Sequence, residues 1–194
     1  MVNLSRPLWG VLILSWFNLF PLSTIAGAQT NNAPANIFTS SLAEIKAELL
    51  PNLVLRLPRE ILGVNPDYLN DPNLKVRIFS SRNQQRSTVA IYRCDVGAYS
   101  CLIGTFSVTD PTSAHGKYLW EQHQRQGAPL TMASGIRAYL IEEQKLNLAS
   151  GFASVMWQQD GGLYSITFPR EQRQNLLYMA VDMSKSDPIY SDRN

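Results

Sequence analysis

Three closely spaced runs of β-branched and aromatic residues constrain the fold of this chain more than any other feature. Two polar links of six residues each, SRNQQR and DVGAYS, separate these runs, which read LKVRIFS, STVAIYRC and CLIGTFSV. Such runs favour extended strands, and links this short join strands that are neighbours in an antiparallel sheet. The sequence therefore predicts an antiparallel meander over residues 74–108.

A second group of strands follows about 30 residues later. Its runs are GIRAYLIEE, GFASVMWQQ and LYSITF, and Asp160-Gly161-Gly162 between the last two is a strong hairpin signal. Helical spacing is found in 40–50, from Tyr118 to Gln124, and in 170–183. The order of helix, three strands, helix, three strands, helix predicts an α+β fold. We expect one antiparallel sheet of about six strands, with helices covering one face.

The N-terminal segment has the three parts of a secretory signal. Arg6 is its only charged side chain, Leu8 to Leu22 form the apolar stretch, and Ala26-Gly27-Ala28 is a small-x-small cleavage site. Cleavage after Ala28 is the prediction, and an uncleaved anchor is the alternative. The domain plan is then a signal peptide at 1–28, a flexible leader at 29–39, a single α+β domain at 40–183 and a flexible tail at 184–194.

The charge balance of the mature chain argues against nucleic-acid binding. Removal of 28 residues leaves 166, with 16 basic and 15 acidic side chains. A nucleic-acid binder needs a concentrated basic face, which this balance does not indicate. We expect an exported protein of the periplasm, a compartment like the thylakoid lumen, or the extracellular space.

The interpretation of the two cysteines depends on the predicted export of the chain. Cys94 and Cys101 are the only cysteines in the chain, and they flank a turn-rich loop between two predicted strands. An oxidising compartment and an even number of cysteines favour a disulfide. A hairpin would place the two residues opposite each other at its open end, within bonding distance. Free thiols and a chemical role are the alternatives, but the spacing is not that of a redox pair.

Residues 135–183 resemble a known kind of exported module. The features are a GxxAY start (Gly135, Ala138, Tyr139), a hairpin of the form WxxDGxxY that runs from Trp157 to Tyr164, and a terminal helix, NLLYMAVDM. They are similar to the C-terminal module of exported bacterial proteins of unknown function, distantly akin to lipoprotein-carrier and sigma-regulatory periplasmic domains. The resemblance implies a curved antiparallel sheet with helices in its concavity, and a binding or sensing role without catalysis. The pair of cysteines is a departure from the lipoprotein carriers.

No pattern in the chain predicts catalysis, a metal or a cofactor. His115 and His123 are the only histidines, and we interpret them as solvated helix residues. No serine lies in a nucleophile elbow and no glycine-rich phosphate loop precedes a helix. Glu142 and Glu143 are expected at a solvated strand end.

Two candidate binding surfaces stand out. The aromatic residues Tyr118, Trp120, Tyr139 and Trp157 are the candidates for an apolar groove between helix and sheet; the alternative is a core with an amphipathic rim. Among the basic residues of the first two strands, Arg82 and Arg86 are the candidates for contact with an anion or a partner. The alternative for these is protection of a sheet edge.

The leading hypothesis is therefore an exported binding module, without catalysis, for an envelope protein or an apolar small molecule. A peripheral membrane contact through the basic residues is compatible with it. An accessory protein that stabilises a membrane-attached assembly from the non-cytoplasmic side is the alternative. A hydrolase with an unrecognised site is the third.

Overall fold

The computed structural model describes residues 32–64, 71, 73–94, 101–133, 135–142 and 151–193. These residues belong to one compact unit. The predicted signal peptide at 1–28 and Glu143 lie outside the described residues.

The fold is α+β, with one antiparallel sheet, as predicted. The sheet has the order β1-β2-β3-β7-β6-β5-β4. Its seven strands are β1 (Lys75–Ser81), β2 (Arg86–Tyr92), β3 (Leu102–Thr109), β4 (Ala128–Thr131), β5 (Arg137–Glu142), β6 (Phe152–Gln159) and β7 (Gly162–Pro169). The prediction was about six; the additional one is β4, which contains Pro129. Proline is tolerated there because β4 is an edge strand and pairs only with β5.

Three α-helices are found in the described part of the chain: α1 (Leu42–Glu48), α2 (Ala114–Gln126) and α3 (Arg173–Lys185). Short 3₁₀ helices, Asn36–Ser41 and Arg170–Gln172, precede α1 and α3. The α2 helix begins four residues earlier than predicted because the Oγ of Ser113 caps it, accepting the N–H of Gly116 at 2.9 Å.

The hydrophobic core lies on one face of the sheet, which we call the first face. Side chains alternate along each strand, and those of the first face include Val89, Phe106, Val155 and Trp157. The α1 and α3 helices and the extended segment 49–61 supply the other side of this core. Leu53, Leu55 and Leu57 are all buried in that segment, so it covers the core as an extended chain.

The α2 helix packs on the opposite face, which we call the second face. Tyr139 is on this face because its neighbour Ala138 belongs to the first-face core, and the ring of Trp120 in α2 lies 5.2 Å from the ring of Tyr139. Helices therefore cover both faces, whereas we expected them on one. The α2 connection runs from the end of β3 to β4 at the far edge of the sheet, and it crosses the second face to do so.

The structure corrects the expectation that both ends of the domain are flexible. In the predicted leader, Phe38 is fully buried and the N–H of Ala35 donates to the carbonyl of Pro58 at 2.9 Å. In the predicted tail, Leu55 and Ile189 exchange backbone hydrogen bonds of 3.0 and 2.7 Å, and the Oγ of Ser191 donates to the carbonyl of Leu49. Both segments are held because they cover the first-face core.

The predicted disulfide is present. Cys94 and Cys101 are bonded, with their Cα atoms 5.8 Å apart, where β2 and β3 end their pairing. Among the described residues, no helix combines the length and the apolar character that a membrane span requires.

Candidate functional site

The second face of the sheet carries more polar side chains than the first, although the buried residues Ala90, Ile141, Met156 and Leu163 also lie on it. Its central positions are hydroxyl side chains that lie side by side on neighbouring strands, in two rows: Thr88, Ser107 and Ser165, then Thr105, Thr167 and Ser154. Hydroxyls both donate and accept hydrogen bonds, so this face can bind polar groups.

The charged residues at strand positions of the second face are all basic. Alternation from the register places Lys75 and Arg77 of β1, Arg86 of β2 and Arg137 of β5 on this face. None of the described strands contributes an aspartate or glutamate to it; Glu142 shares its side of β5 with Ala138 and pairs with Arg173 of α3. The second face is therefore electropositive.

Arg86 is the basic residue that reaches into the centre of this face. Its Nη2 donates to the Oγ of Ser107 at 2.9 Å, and that hydroxyl lies 2.9 Å from the Oγ1 of Thr88. The Nε–H is enclosed and has no acceptor among the described residues. No carboxylate of the described chain pairs with the guanidinium, and burial lowers the pKa of Arg86. The result is a partly buried cation without a counter-charge in the part of the chain that the structure describes.

The loop before α2 fixes the start of this helix beside Arg86. The N–H of Asp110 donates to the carbonyl of Gln85 at 2.9 Å, and the carboxylate of Asp110 accepts from the backbone and hydroxyl of Thr112, which lowers the pKa of Asp110. Gly116 then passes close to the turn: a Cβ added there would lie 2.1 Å from the carbonyl oxygen of Asp110. Only glycine allows the helix to approach this closely.

Two histidines of α2 are held between the helix and the second face. His123 is only 3% exposed; its Nδ1 donates to the carbonyl of Leu119 at 2.8 Å, so in the neutral ring Nε2 is an acceptor. The Nε2 atoms of both His115 and His123 are enclosed and have no partner among the described residues. Burial, and secondly the charge of Arg86, lowers the pKa of each ring; for His123 the bond to Leu119 partly opposes this.

We define the Arg86 site as Arg86, Thr88, Ser107, His115 and His123. It combines a guanidinium that no carboxylate of the described residues pairs with, two hydroxyls and two imidazoles; Ser107 and His123 are buried, and the other three residues are half-buried. Buried polar atoms are nearly always hydrogen-bonded, and three unpartnered nitrogens in one region are an exception that requires an explanation. The donors and the positive charge suit an anion. No metal-binding group of three histidine, cysteine or acidic residues occurs in the described part of the chain.

The predicted aromatic groove is not formed by its four residues. Trp120 and Tyr139 are in contact on the second face. Trp157 pairs with Ala138 in the register, lies on the first face, and is fully buried against Tyr164 with ring centroids 5.6 Å apart. Tyr118 is 55% exposed on the outer side of α2. The two tryptophans are separated by the sheet, so one ligand cannot contact both.

The two predicted anion-contact residues are also separated. Arg82 is exposed in the turn between β1 and β2, whereas Arg86 extends beneath α2. Sequence reasoning identified Arg86, but as a peripheral contact, and it interpreted His115 and His123 as solvated. The interpretation of His123 as solvated was wrong, because this residue is buried. His115 is half-buried. Gly116 beside His115 was the available signal, because a glycine near a helix start indicates close packing.

No protein-family model, curated protein or solved structure gives a significant match to this chain.

Proposed function

We propose that this protein is an exported binding module that holds a small molecule by an anionic group at the Arg86 site. The observation that carries the proposal is the guanidinium of Arg86, which is partly buried and has no carboxylate partner among the described residues. Arginine cannot lose its proton in a protein, so its positive charge persists.

An unpaired charge away from water is costly, and this cost is the physical argument for a ligand. A buried cation is normally paired, and leaving one uncompensated costs about 3–5 kcal/mol when the site is well buried. Arg86 is only partly buried, so its cost is smaller, but its enclosed Nε–H adds to it. An anion bound at Arg86 would compensate the charge and accept a hydrogen bond from the Nε–H, so it would remove both costs.

The surrounding surface supports the same class of ligand. The strand positions of the second face are basic and rich in hydroxyls, and they offer no carboxylate that would repel an anion. The contact of Trp120 with Tyr139 borders this face under α2 and offers an apolar wall for the rest of the molecule. An apolar molecule with an anionic group therefore satisfies more of the site than a purely apolar one.

Two features support export. The first 28 residues have the pattern of a secretory signal, and Cys94 and Cys101 form a disulfide, which is stable in oxidising compartments.

Native mass spectrometry of the protein purified from its own cell envelope tests the proposal. We expect a co-purifying small molecule on the wild type, its loss in Arg86→Gln, and its retention in Arg82→Gln. Arg82→Gln is the matched control because it removes the same charge from an exposed turn four residues away. A wild-type protein that carries no small molecule and binds none of the molecules extracted from that envelope would contradict the proposal.

A second candidate function is docking to an envelope protein, which one groove favours. The groove has a volume of about 510 Å³ and lies between the segment after Pro58 and α3; its lining includes Arg59, Leu62, Tyr178 and Asp182. Tyr178 is 57% exposed there, and amphipathic aromatic residues are enriched at protein interfaces. Crosslinking in intact envelopes, comparing the wild type with Tyr178→Ala, would show whether a polypeptide contacts this groove.

A further inference from the structure

We infer that the Arg86 site binds an oxyanion, a carboxylate or a phosphate-like group, and that binding is coupled to the uptake of protons by His115 and His123. This inference rests on the proposed function and adds to it the chemical group that is recognised and the way that pH regulates the site.

The donors of the site suit an oxyanion. The Nε–H of Arg86 and an adjacent Nη–H form the planar fork that matches two oxygens of a carboxylate or phosphate. One nitrogen of this guanidinium is already oriented by Ser107, which is itself held by Thr88. The enclosed Nε–H is the donor that still lacks an acceptor, so an oxygen of the ligand completes the set.

The two imidazoles respond to the same anion through Arg86. His123 comes eight positions after His115 in α2. The two are therefore about 12 Å apart along the helix axis, so one small anion does not contact both. The Nε2 of each ring is nevertheless enclosed at the second face, on which Arg86 also lies, and burial, with the guanidinium charge adding to it, lowers the pKa of each ring. An anion on Arg86 neutralises that charge and adds its own attraction for a proton, so both rings become more basic in the complex.

The other elements around α2 add no second charged or titrating group that changes the pKa of both histidines. Beneath the helix, β3, β7 and β6 present Ser107, Ser165 and Met156, which do not titrate in this range. On β5, Tyr139 packs on Trp120, with the guanidinium of Arg137 6.0 Å from its ring centroid.

Besides Lys75 and Arg77 on the β1 edge of this face, the turn before the helix and the helix itself carry the remaining charges. Asp110 is bound to Thr112, and a lowered pKa keeps it ionised near neutral pH. Lys117, Glu121 and Arg125 are exposed, and the last two pair with each other at 3.1 Å. Arg86 is the charged side chain that perturbs both rings, so proton uptake is a property of this site.

The direction of the pH effect follows from linkage. Binding raises the pKa of the histidines, so the complex holds more protons than the free protein, and affinity rises as pH falls. Each proton taken up contributes at most about a tenfold increase in affinity per pH unit. Acidification of the compartment that receives the exported protein would favour ligand binding at the site, and a return to neutral pH would favour release.

The experiment uses sulfate as the probe because sulfate keeps its charge across the range of the histidines. The imidazole NMR signals of the wild-type protein are titrated between about pH 5 and about pH 8, with and without sulfate. Since the chain has only two histidines, each signal reports on the site directly. We expect sulfate to raise both pKa values, and calorimetric affinity to increase at least about threefold from about pH 7 to about pH 6.

Three variants make the result specific. Arg86→Gln should abolish the sulfate effect on both rings, and Arg82→Gln should leave it intact. Arg86→Lys keeps the charge and the fold but loses the planar fork, so it should bind more weakly with the same pH trend. Acetate, tested at about pH 7, distinguishes a preference for a planar carboxylate from one for a tetrahedral oxyanion.

Two results would overturn the inference, and they differ in what they imply for the proposed function. If sulfate or acetate binds through Arg86 but the affinity is flat with pH and the rings do not shift, proton coupling is wrong and the binding module stands. If neither anion binds, and Arg86→Gln still carries the molecule that co-purifies from the envelope, both the inference and the Arg86 site are wrong. Enclosed water would then account for the unpartnered nitrogens.

Discussion

Arg86 and Ser107 form a hydrogen bond of 2.9 Å on adjacent strands, and this bond holds a cation beneath α2 that no carboxylate of the described chain neutralises. The Oγ of Ser107 is itself fixed by Thr88. The guanidinium is therefore placed before any ligand arrives. A pre-positioned charge makes binding favourable because little side-chain entropy is lost on association.

Removal of the unpaired charge should not harm the ligand-free fold. We expect Arg86→Gln to raise the free energy of unfolding by about 1 kcal/mol in anion-free buffer, because a partly buried cation is replaced by a neutral amide that can still bond to Ser107. Chemical denaturation monitored by tryptophan fluorescence measures this. Arg82→Gln, in the exposed turn, should change stability by no more than about 0.5 kcal/mol. A decrease of several kcal/mol in the free energy of unfolding of Arg86→Gln would mean that Arg86 has a structural role and that its charge is already compensated in the ligand-free protein.

The pH dependence of stability provides a second prediction. The pKa values of His115 and His123 in the folded protein lie below the ordinary 6.5, so the unfolded chain binds more protons below that pH. Stability should therefore fall as pH decreases from about 6.5, by at most about 1.4 kcal/mol per pH unit for each proton of difference. Urea unfolding at a series of pH values measures the slope.

Two comparisons separate this effect from other titrations. Asp110, whose pKa lies below 3.8, contributes stability that is lost only in that more acidic range. His123→Gln should reduce the slope near pH 6, whereas a variant of exposed Glu121 should not. An unchanged slope in His123→Gln would show that the buried imidazole does not control the acid response.

The α+β class, one antiparallel sheet and the disulfide could be predicted from sequence because each depends on local patterns. Runs such as STVAIYRC specify strands, and Asp160-Gly161-Gly162 specifies a hairpin without knowledge of what lies above the sheet. The strand β4 was not predicted, since Ala-Pro-Leu-Thr has little strand character and is extended only because β5 pairs with it.

The site could not be predicted because it depends on which face α2 covers. Thr88 and Ser107 are polar residues beside apolar ones such as Val89 and Phe106 and therefore indicate a wet face, yet α2 crosses that face and Ser107 is fully buried. The helix brings His123 over residues that are 16 or more positions away in sequence. Likewise, Trp157 and Tyr139 seemed equivalent in sequence, but the register puts them on opposite sides of the sheet.

The close approach of α2 should depend on Gly116. A methyl group at this position would lie 2.1 Å from the carbonyl of Asp110, so Gly116→Ala must displace the helix or the turn. We expect a loss of about 1–3 kcal/mol in stability, which is typical of overpacking, and weaker sulfate binding because His115 moves away from Arg86. Ala114→Ser, at an exposed position in the same turn, is the control and should affect neither. A stable Gly116→Ala with unchanged histidine signals would contradict this account of the helix position.

The disulfide should stabilise the fold without contributing to the site. Cys94 follows β2 and Arg86 begins it, so the two lie at opposite ends of the strand. Replacement of both cysteines by serine should lower the free energy of unfolding by about 2.5 kcal/mol in the chain-entropy model of a loop this short. Sulfate affinity, measured well below the melting temperature, should stay within about twofold of the wild type. A large loss of affinity would indicate that the loop closed by the disulfide reaches the second face.

The two tryptophans should separate stability from binding, since the sheet lies between them. Trp157 is fully buried, stacks on Tyr164 and donates from Nε1 to Gln159, so Trp157→Ala should cost about 3–5 kcal/mol. Trp120 is half-buried at the second face, and its loss should cost only about 1 kcal/mol because the edge contact with Tyr139 and part of one ring are removed. Denaturant unfolding measures both costs, and native mass spectrometry measures retention of the co-purifying molecule. We expect Trp120→Ala to weaken retention and the conservative Trp157→Phe to leave it unchanged, because only Trp120 shares a face with Arg86. The opposite pattern would place the ligand in the first-face core and would require that core to open.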